Sequence, residues 1–211
     1  MSGEHAIKVH GAEHAEHHDP VGNKIGMWLF LFTELILFGG LFIAFAVYLH
    51  LYRWDFRAGS GSLDKILGAV NTMILLTSSL TMALAIAALT RKKMKASLGF
   101  MAGTILLALM FLGVKAVEWG HKFHIDLVPG STVMQNKPMG QQVFYALYYT
   151  MTGVHALHVI IGIGAIAVAA GFVKSGRCHA ERPDLLENVG LYWHLVDVIW
   201  IFLFPLFYLI G

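Results

Sequence analysis

The sequence predicts an all-α membrane protein, with five transmembrane helices in one bundle, the N-terminus inside and the C-terminus outside. Three observations predict it. Of the 211 residues, 57% are hydrophobic and only 13% charged, with a mean hydropathy of +0.65. Five apolar runs approach or exceed the roughly 20 residues needed to cross a bilayer. Finally, Lys and Arg are unevenly shared between the connections. With five spans, nine fall on the side of the N-terminus and five on the other, and positive charge favours the cytoplasm. A net charge of +2 gives no basis for binding nucleic acid, and a single cysteine, Cys178, excludes an internal disulfide.

Residues 1–24 form a polar, His-rich cytoplasmic tail containing His5, His10, His14, His17 and His18. Such a tract can bind metal, but no frame holds these ligands, so a solvated tail is the simpler reading. It has no cationic start followed by a short apolar core, so the first span is expected to act as its own insertion signal. The transmembrane domain, 25–211, follows, with spans expected at about 25–50, 66–90, 98–121, 142–173 and 189–210.

The first span opens on Gly26-Met27-Trp28, an aromatic where the membrane interface favours one. It carries Glu34, and its Gly39-Gly40 pair offers a flat face for a neighbouring helix. Residues 51–65, with Arg53, Arg57 and a Gly-Ser-Gly-Ser tip, read as an exposed connection. The second span holds Thr77, Ser78, Ser79 and Thr81, which in a membrane bond to their own backbone or to a neighbour. The basic loop 91–97 leads to the third span, where Lys115 and Glu118 are three apart and can pair on one face. Glu118 lies near the outer end, within snorkelling reach of water. The fourth span contains His155 and His158, followed by Gly162 and Gly164. The fifth, after a polar loop with Pro183 and Glu187, holds His194 and Asp197 among Tyr192, Trp193 and Trp200. Pro205 is expected to bend it or free a carbonyl.

At 1.5 Å of rise per residue, Glu34 lies about 14 Å into its helix, and His194 and Asp197 about 8 and 12 Å into theirs, all from the cytoplasmic side. His155 and His158, on a helix running the other way, lie about 20 and 24 Å from the outer face. In a core of about 30 Å these five groups share the cytoplasmic half. Intramembrane acids and imidazoles are costly unless paired, and they mark relays, ligand sites or packing networks. A bis-histidine haem could use His158 with His194, which would make the chain a small haem-b membrane cytochrome. A proton path is a second reading. The third is a hydrogen-bonded network in which Asp197 or Glu34 accepts from a histidine. This network is favoured for His155, His158, His194 and Asp197, and Glu34 is divided evenly between structure and function. No Cys/His cluster with metal spacing, nucleophile elbow or phosphate loop is present.

Four stretches together resemble subunit III of the haem-copper terminal oxidases. YWHLVDVIWIFLF (Tyr192 to Phe204) is similar to the family's last-helix signature, and TGVHALHVIIG (Thr152 to Gly162) to its penultimate one. GMWLFLFTELILFGGLFIAFAVY (Gly26 to Tyr48) resembles the helix that carries an intramembrane carboxylate, and KAVEWG (Lys115 to Gly120) an acid-aromatic helix end. Glu187 stands at the family's spacing before the last-helix histidine. The length resembles the five-helix form, and the His-rich start resembles the subunit III of bacterial quinol oxidases.

The resemblance implies an accessory subunit without catalytic residues or cofactors of its own. It would stand beside a haem- and copper-bearing subunit I, its main contact, in the bacterial cytoplasmic (inner) membrane. Other oxidase subunits would be partners, including a subunit II that carries copper where the donor is cytochrome c. The subunit would bind phospholipid between its helices and support proton uptake and the stability of subunit I, and the complex could join a respiratory supercomplex. Glu34 would be the lipid-cleft carboxylate that a carbodiimide labels. His155, His158, Glu187, His194, Asp197 and Glu118 would be framework groups. The accessory protein of nitric oxide reductases is a related alternative. Lys115 departs from the family's usual neutral or acidic residue, and Pro205 from its usually unbroken last helix.

Overall fold

The computed structural model describes residues 20–211, so the His-rich tract lies outside the described residues. Seven helices follow in order: α1 (Pro20–Leu51), α2 (Arg53–Gly61), α3 (Lys65–Thr90), α4 (Met94–His124), α5 (Thr132–Gln135), α6 (Met139–Lys174) and α7 (Asp184–Tyr208). Five of them, α1, α3, α4, α6 and α7, are long and apolar enough to cross a membrane. Their starts follow local chemistry. Asp64 caps α3 by accepting from the amides of Ile66 and Leu67 at 2.9 and 3.1 Å. Pro138 precedes α6, and the acids Asp184 and Glu187 occupy the first turn of α7, where the helix dipole favours negative charge.

α3 and α4 form an antiparallel hairpin around Lys92, whose φ is +60°. α7 packs on α3 and α6, and α6 on α4, closing a four-helix core, while α1 lies outside against α6 and α7. Large aromatics fill the centre, including Phe111, Trp193 and Trp200. Close approach of α6 and α7 depends on Gly162, where a Cβ would stand 2.8 Å from the Trp193 ring.

Three expectations bear on these helices. Residues 51–65 are not an exposed connection, because α2 folds back and buries Phe56, Gly59 and Ser60. Phe56 packs between Phe45 and Phe144, with ring centroids 5.2 and 5.4 Å away. A Cβ on Gly39 or Gly40 would meet nothing within 4 Å among the described residues, so the flat face they offer is not taken up by another described helix. The helix runs through Pro205 to Tyr208, and Pro205, having no N–H, cannot donate to the carbonyl of Ile201 four residues back, in line with the freed carbonyl expected of it. Pro205 lies close enough to the end that few backbone bonds depend on it.

Candidate functional site

Two polar constellations stand inside the membrane-spanning region. The first joins α1 to α6. Glu34 Oε2 lies 2.7 Å from His158 Nε2, and His158 Nδ1 lies 2.7 Å from the Val154 carbonyl oxygen. A carbonyl can only accept, so Nδ1 carries a proton and donates. The bond to Glu34 therefore needs one further proton, on Nε2 or on the carboxyl. With one proton in that bond the pair is neutral overall, the arrangement that apolar surroundings favour. Phe38 closes one side of the imidazole, with ring centroids 5.3 Å apart. Glu34 is half-buried on a helix whose other faces are exposed, so its carboxyl sits at the edge of the bundle.

The second constellation ties α4, α6 and α7 together. The Lys115 ammonium, 3% exposed, donates to Glu118 Oε2 at 2.9 Å, to the Tyr148 hydroxyl at 3.1 Å and to the Tyr208 hydroxyl at 2.7 Å. That uses all three of its protons. Glu118 in turn accepts from Tyr148 at 2.8 Å and from Tyr208 at 2.7 and 2.9 Å. The Lys115–Glu118 pair is neutral, and a second buried ammonium, Lys122, lies 6.0 Å from the Tyr148 ring. Trp200 lies beneath the ammonium, 5.1 Å from Nζ to ring centroid. Glu118 is 4% exposed, so it does not snorkel as the sequence suggests; its own lysine and two tyrosines hold it inside. Sequence reasoning found the Lys115–Glu118 pair from its spacing and missed Tyr148 and Tyr208, which lie on other helices.

The remaining groups separate. His194 Nδ1 shares a 2.6 Å hydrogen bond with Ser79 Oγ. Asp197 is buried, and neither carboxyl oxygen is within hydrogen-bond geometry of any described side chain or backbone group. Ser79 lies beside it but is engaged by His194. The expected Asp197–histidine bond is therefore not formed. His155 is fully buried with neither nitrogen hydrogen-bonded among the described residues, its ring against Phe111 and Trp200 at 5.5 and 5.2 Å. Glu187 is half-buried in the first turn of α7. The α3 hydroxyls act locally or across helices: Ser78 accepts from Trp193 Nε1 at 3.2 Å, and Thr81 pairs with Thr104 at 2.8 Å. The two imidazoles suited to a bis-histidine haem face different partners, Glu34 and Ser79. Among the described residues no group of three or more His, Cys, Asp or Glu could hold a metal ion. Outside the spans, burial raises the Cys178 thiol above its ordinary value.

Residues 5–211 match the family Cytochrome c oxidase subunit III. The chain is 35% identical over 191 residues to the cytochrome c oxidase subunit 3 of Alkalihalophilus pseudofirmus, covering 89% of this chain and 86% of that one. It is 31% identical over 191 residues to a protein of Staphylococcus saprophyticus named probable quinol oxidase subunit 3, covering 90% and 89% of the two chains. It is 28% identical over 202 residues to the cytochrome bo(3) ubiquinol oxidase subunit 3 of Pseudomonas aeruginosa, covering 95% and 91%. The five spans and these bacterial relatives agree with a multi-pass protein of the bacterial inner membrane. The chain belongs to the subunit III family of the haem-copper oxidases.

Proposed function

We propose that this chain is the accessory subunit III of a bacterial aerobic respiratory oxidase, without an active site of its own. In this reading it packs against a subunit I that carries haem and copper, stabilises it, and supports proton uptake by a lipid-lined surface. The relatives are named for both quinol and cytochrome c oxidases, and the reading holds for either donor. The N-terminus is cytoplasmic in this reading, supported by the excess of Lys and Arg in the tail, the α3–α4 turn and the α6–α7 loop.

The observation that carries the proposal is Glu34. An acid on the outermost helix, bonded to His158 at the bundle edge, is reachable from lipid while remaining neutral with its partner. That combination suits an apolar carbodiimide and a phospholipid-facing role. Treating the purified complex with such a reagent is expected to label this chain at Glu34. Glu34→Ala is expected to abolish the label while a large haem-bearing subunit still co-purifies. Labelling that persists after the substitution refutes the assignment of Glu34. A stoichiometric haem absorption band in the isolated chain refutes the accessory role.

A further inference from the structure

α2 carries two guanidinium groups that the subunit III reading does not use. The roll of this helix is set by its buried face. Phe56 is wedged between Phe45 and Phe144, and a Cβ on Gly59 would stand 2.5 Å from the Phe144 ring. Asp55, the only acid on α2, is turned toward Gly140 in the first turn of α6. Arg53 and Arg57, one turn apart, are exposed beside this buried face, toward the end of α1 and the residues that follow α7. Arg57 lies 5.5 Å over the ring of Trp54, itself 77% exposed. No carboxylate pairs with either arginine among the described residues.

Both arginines and His50 line a cavity of about 740 Å³ whose other walls are apolar: Ala46 and Leu49 of α1, and Leu209 and Ile210 beyond α7. Below it the seam between α1 and α7 continues as hydrocarbon, with Phe42 and Phe202 in ring contact at 6.2 Å. The cavity is 12 to 16 residues from Glu34 along α1, about 18–24 Å, and is separate from the Glu34–His158 pair.

We propose that this cavity binds an anionic phospholipid. Arg53 and Arg57 hold its phosphate, His50 adds a third donor, and one acyl chain descends along Ala46 and Leu49 into the α1–α7 seam. Guanidinium forks match phosphate oxygens in pairs. An exposed Trp beside them suits the headgroup level at the ends of α1 and α7. Inorganic phosphate offers the same oxygens but leaves the apolar walls empty, so the lipid is the better fit.

The test is native mass spectrometry of the full chain purified in its membrane complex, counting phospholipids kept after a delipidating wash. The unaltered protein is expected to keep one anionic phospholipid that R53Q/R57Q loses and that R177Q/R182Q, with the same charge removed from the α6–α7 loop, retains. Added phosphatidylglycerol is expected to rebind about tenfold more tightly than phosphatidylcholine, and inorganic phosphate is expected not to displace it. Retention of the lipid by R53Q/R57Q overturns the site, as does equal loss from the loop variant. Displacement by inorganic phosphate overturns the lipid in favour of a small-anion site. The competition arm uses only the unaltered protein, so equal affinity for the two lipids overturns the proposal even where R53Q/R57Q fails to assemble.

Discussion

Replacing Lys115 with methionine is the most direct test of the α4–α6–α7 cluster. Methionine keeps much of the length and apolar stem of lysine, so the substitution removes little besides the ammonium. Glu118 then keeps three contacts from two tyrosine hydroxyls, at 2.7–2.9 Å, and loses the one cation hydrogen-bonded to it among the described residues. Breaking a buried ion pair by removing one partner costs about 3–5 kcal/mol. That is roughly a hundredfold to several thousandfold in the folding equilibrium. The double variant Lys115→Met/Glu118→Leu removes both charges of the pair. The Tyr148 and Tyr208 hydroxyls, which both reach Glu118 Oε1 in the unaltered protein, are then free to bond each other. Its expected cost is about 1–3 kcal/mol, less than the single substitution. The assay is detergent-titrated unfolding followed by tryptophan emission, because Trp200 lies directly beside Lys115. Stability unchanged in Lys115→Met, or a double variant costing the sum of the two singles, would refute the claim that these groups act as one unit.

Asp197→Leu is expected to leave stability unchanged or raise it by about 1–3 kcal/mol, because it removes a buried carboxyl outside hydrogen-bond geometry with every described group; a clear loss in the same titration would show that the neighbouring Ser79, or a group beyond the described residues, holds the carboxyl. Gly162→Ala is expected to cost about 1–3 kcal/mol by pressing a methyl into the Trp193 ring, and unchanged unfolding would mean that α6 and α7 can separate freely. Alkylation of Cys178 is expected to be slower than that of a free thiol at neutral pH and to rise only as the pH passes above the ordinary thiol range, since burial raises this group. A rate at neutral pH equal to that of free cysteine would place the thiol in water.

The five spans were legible because lipid demands long apolar runs, and nothing in tertiary packing overrides that demand. The depth estimate also brought Glu34 and His158 to one level, and in the structure they meet across α1 and α6. Lys115–Glu118 was legible as a spacing of three on one helix. What sequence could not supply was the direction in which each helix turns its polar groups. His194 and Asp197 share a depth with Glu34, yet α7 presents His194 to Ser79 on α3, while α1 lies on the other side of α6 and α7. Tyr148 and Tyr208 look like ordinary interfacial aromatics, and only the meeting of α4, α6 and α7 brings both hydroxyls to one carboxylate. α2 was hidden because its helical signal rests on Phe56 amid Gly and Ser, and the pocket between Phe45 and Phe144 is assembled by helices far apart in sequence.

The single proton shared by Glu34 and His158 also bears on how this seam responds to an energised membrane. Wherever it rests, it moves charge by no more than the 2.7 Å between the two atoms. In a core of about 30 Å that is less than a tenth of the voltage drop. One full charge crossing 100 mV is worth about 2.3 kcal/mol, so the shift is worth at most about 0.2 kcal/mol. The contact between α1 and α6 is thus effectively blind to the transmembrane potential, and the outer helix can stay seated whether or not the membrane is charged.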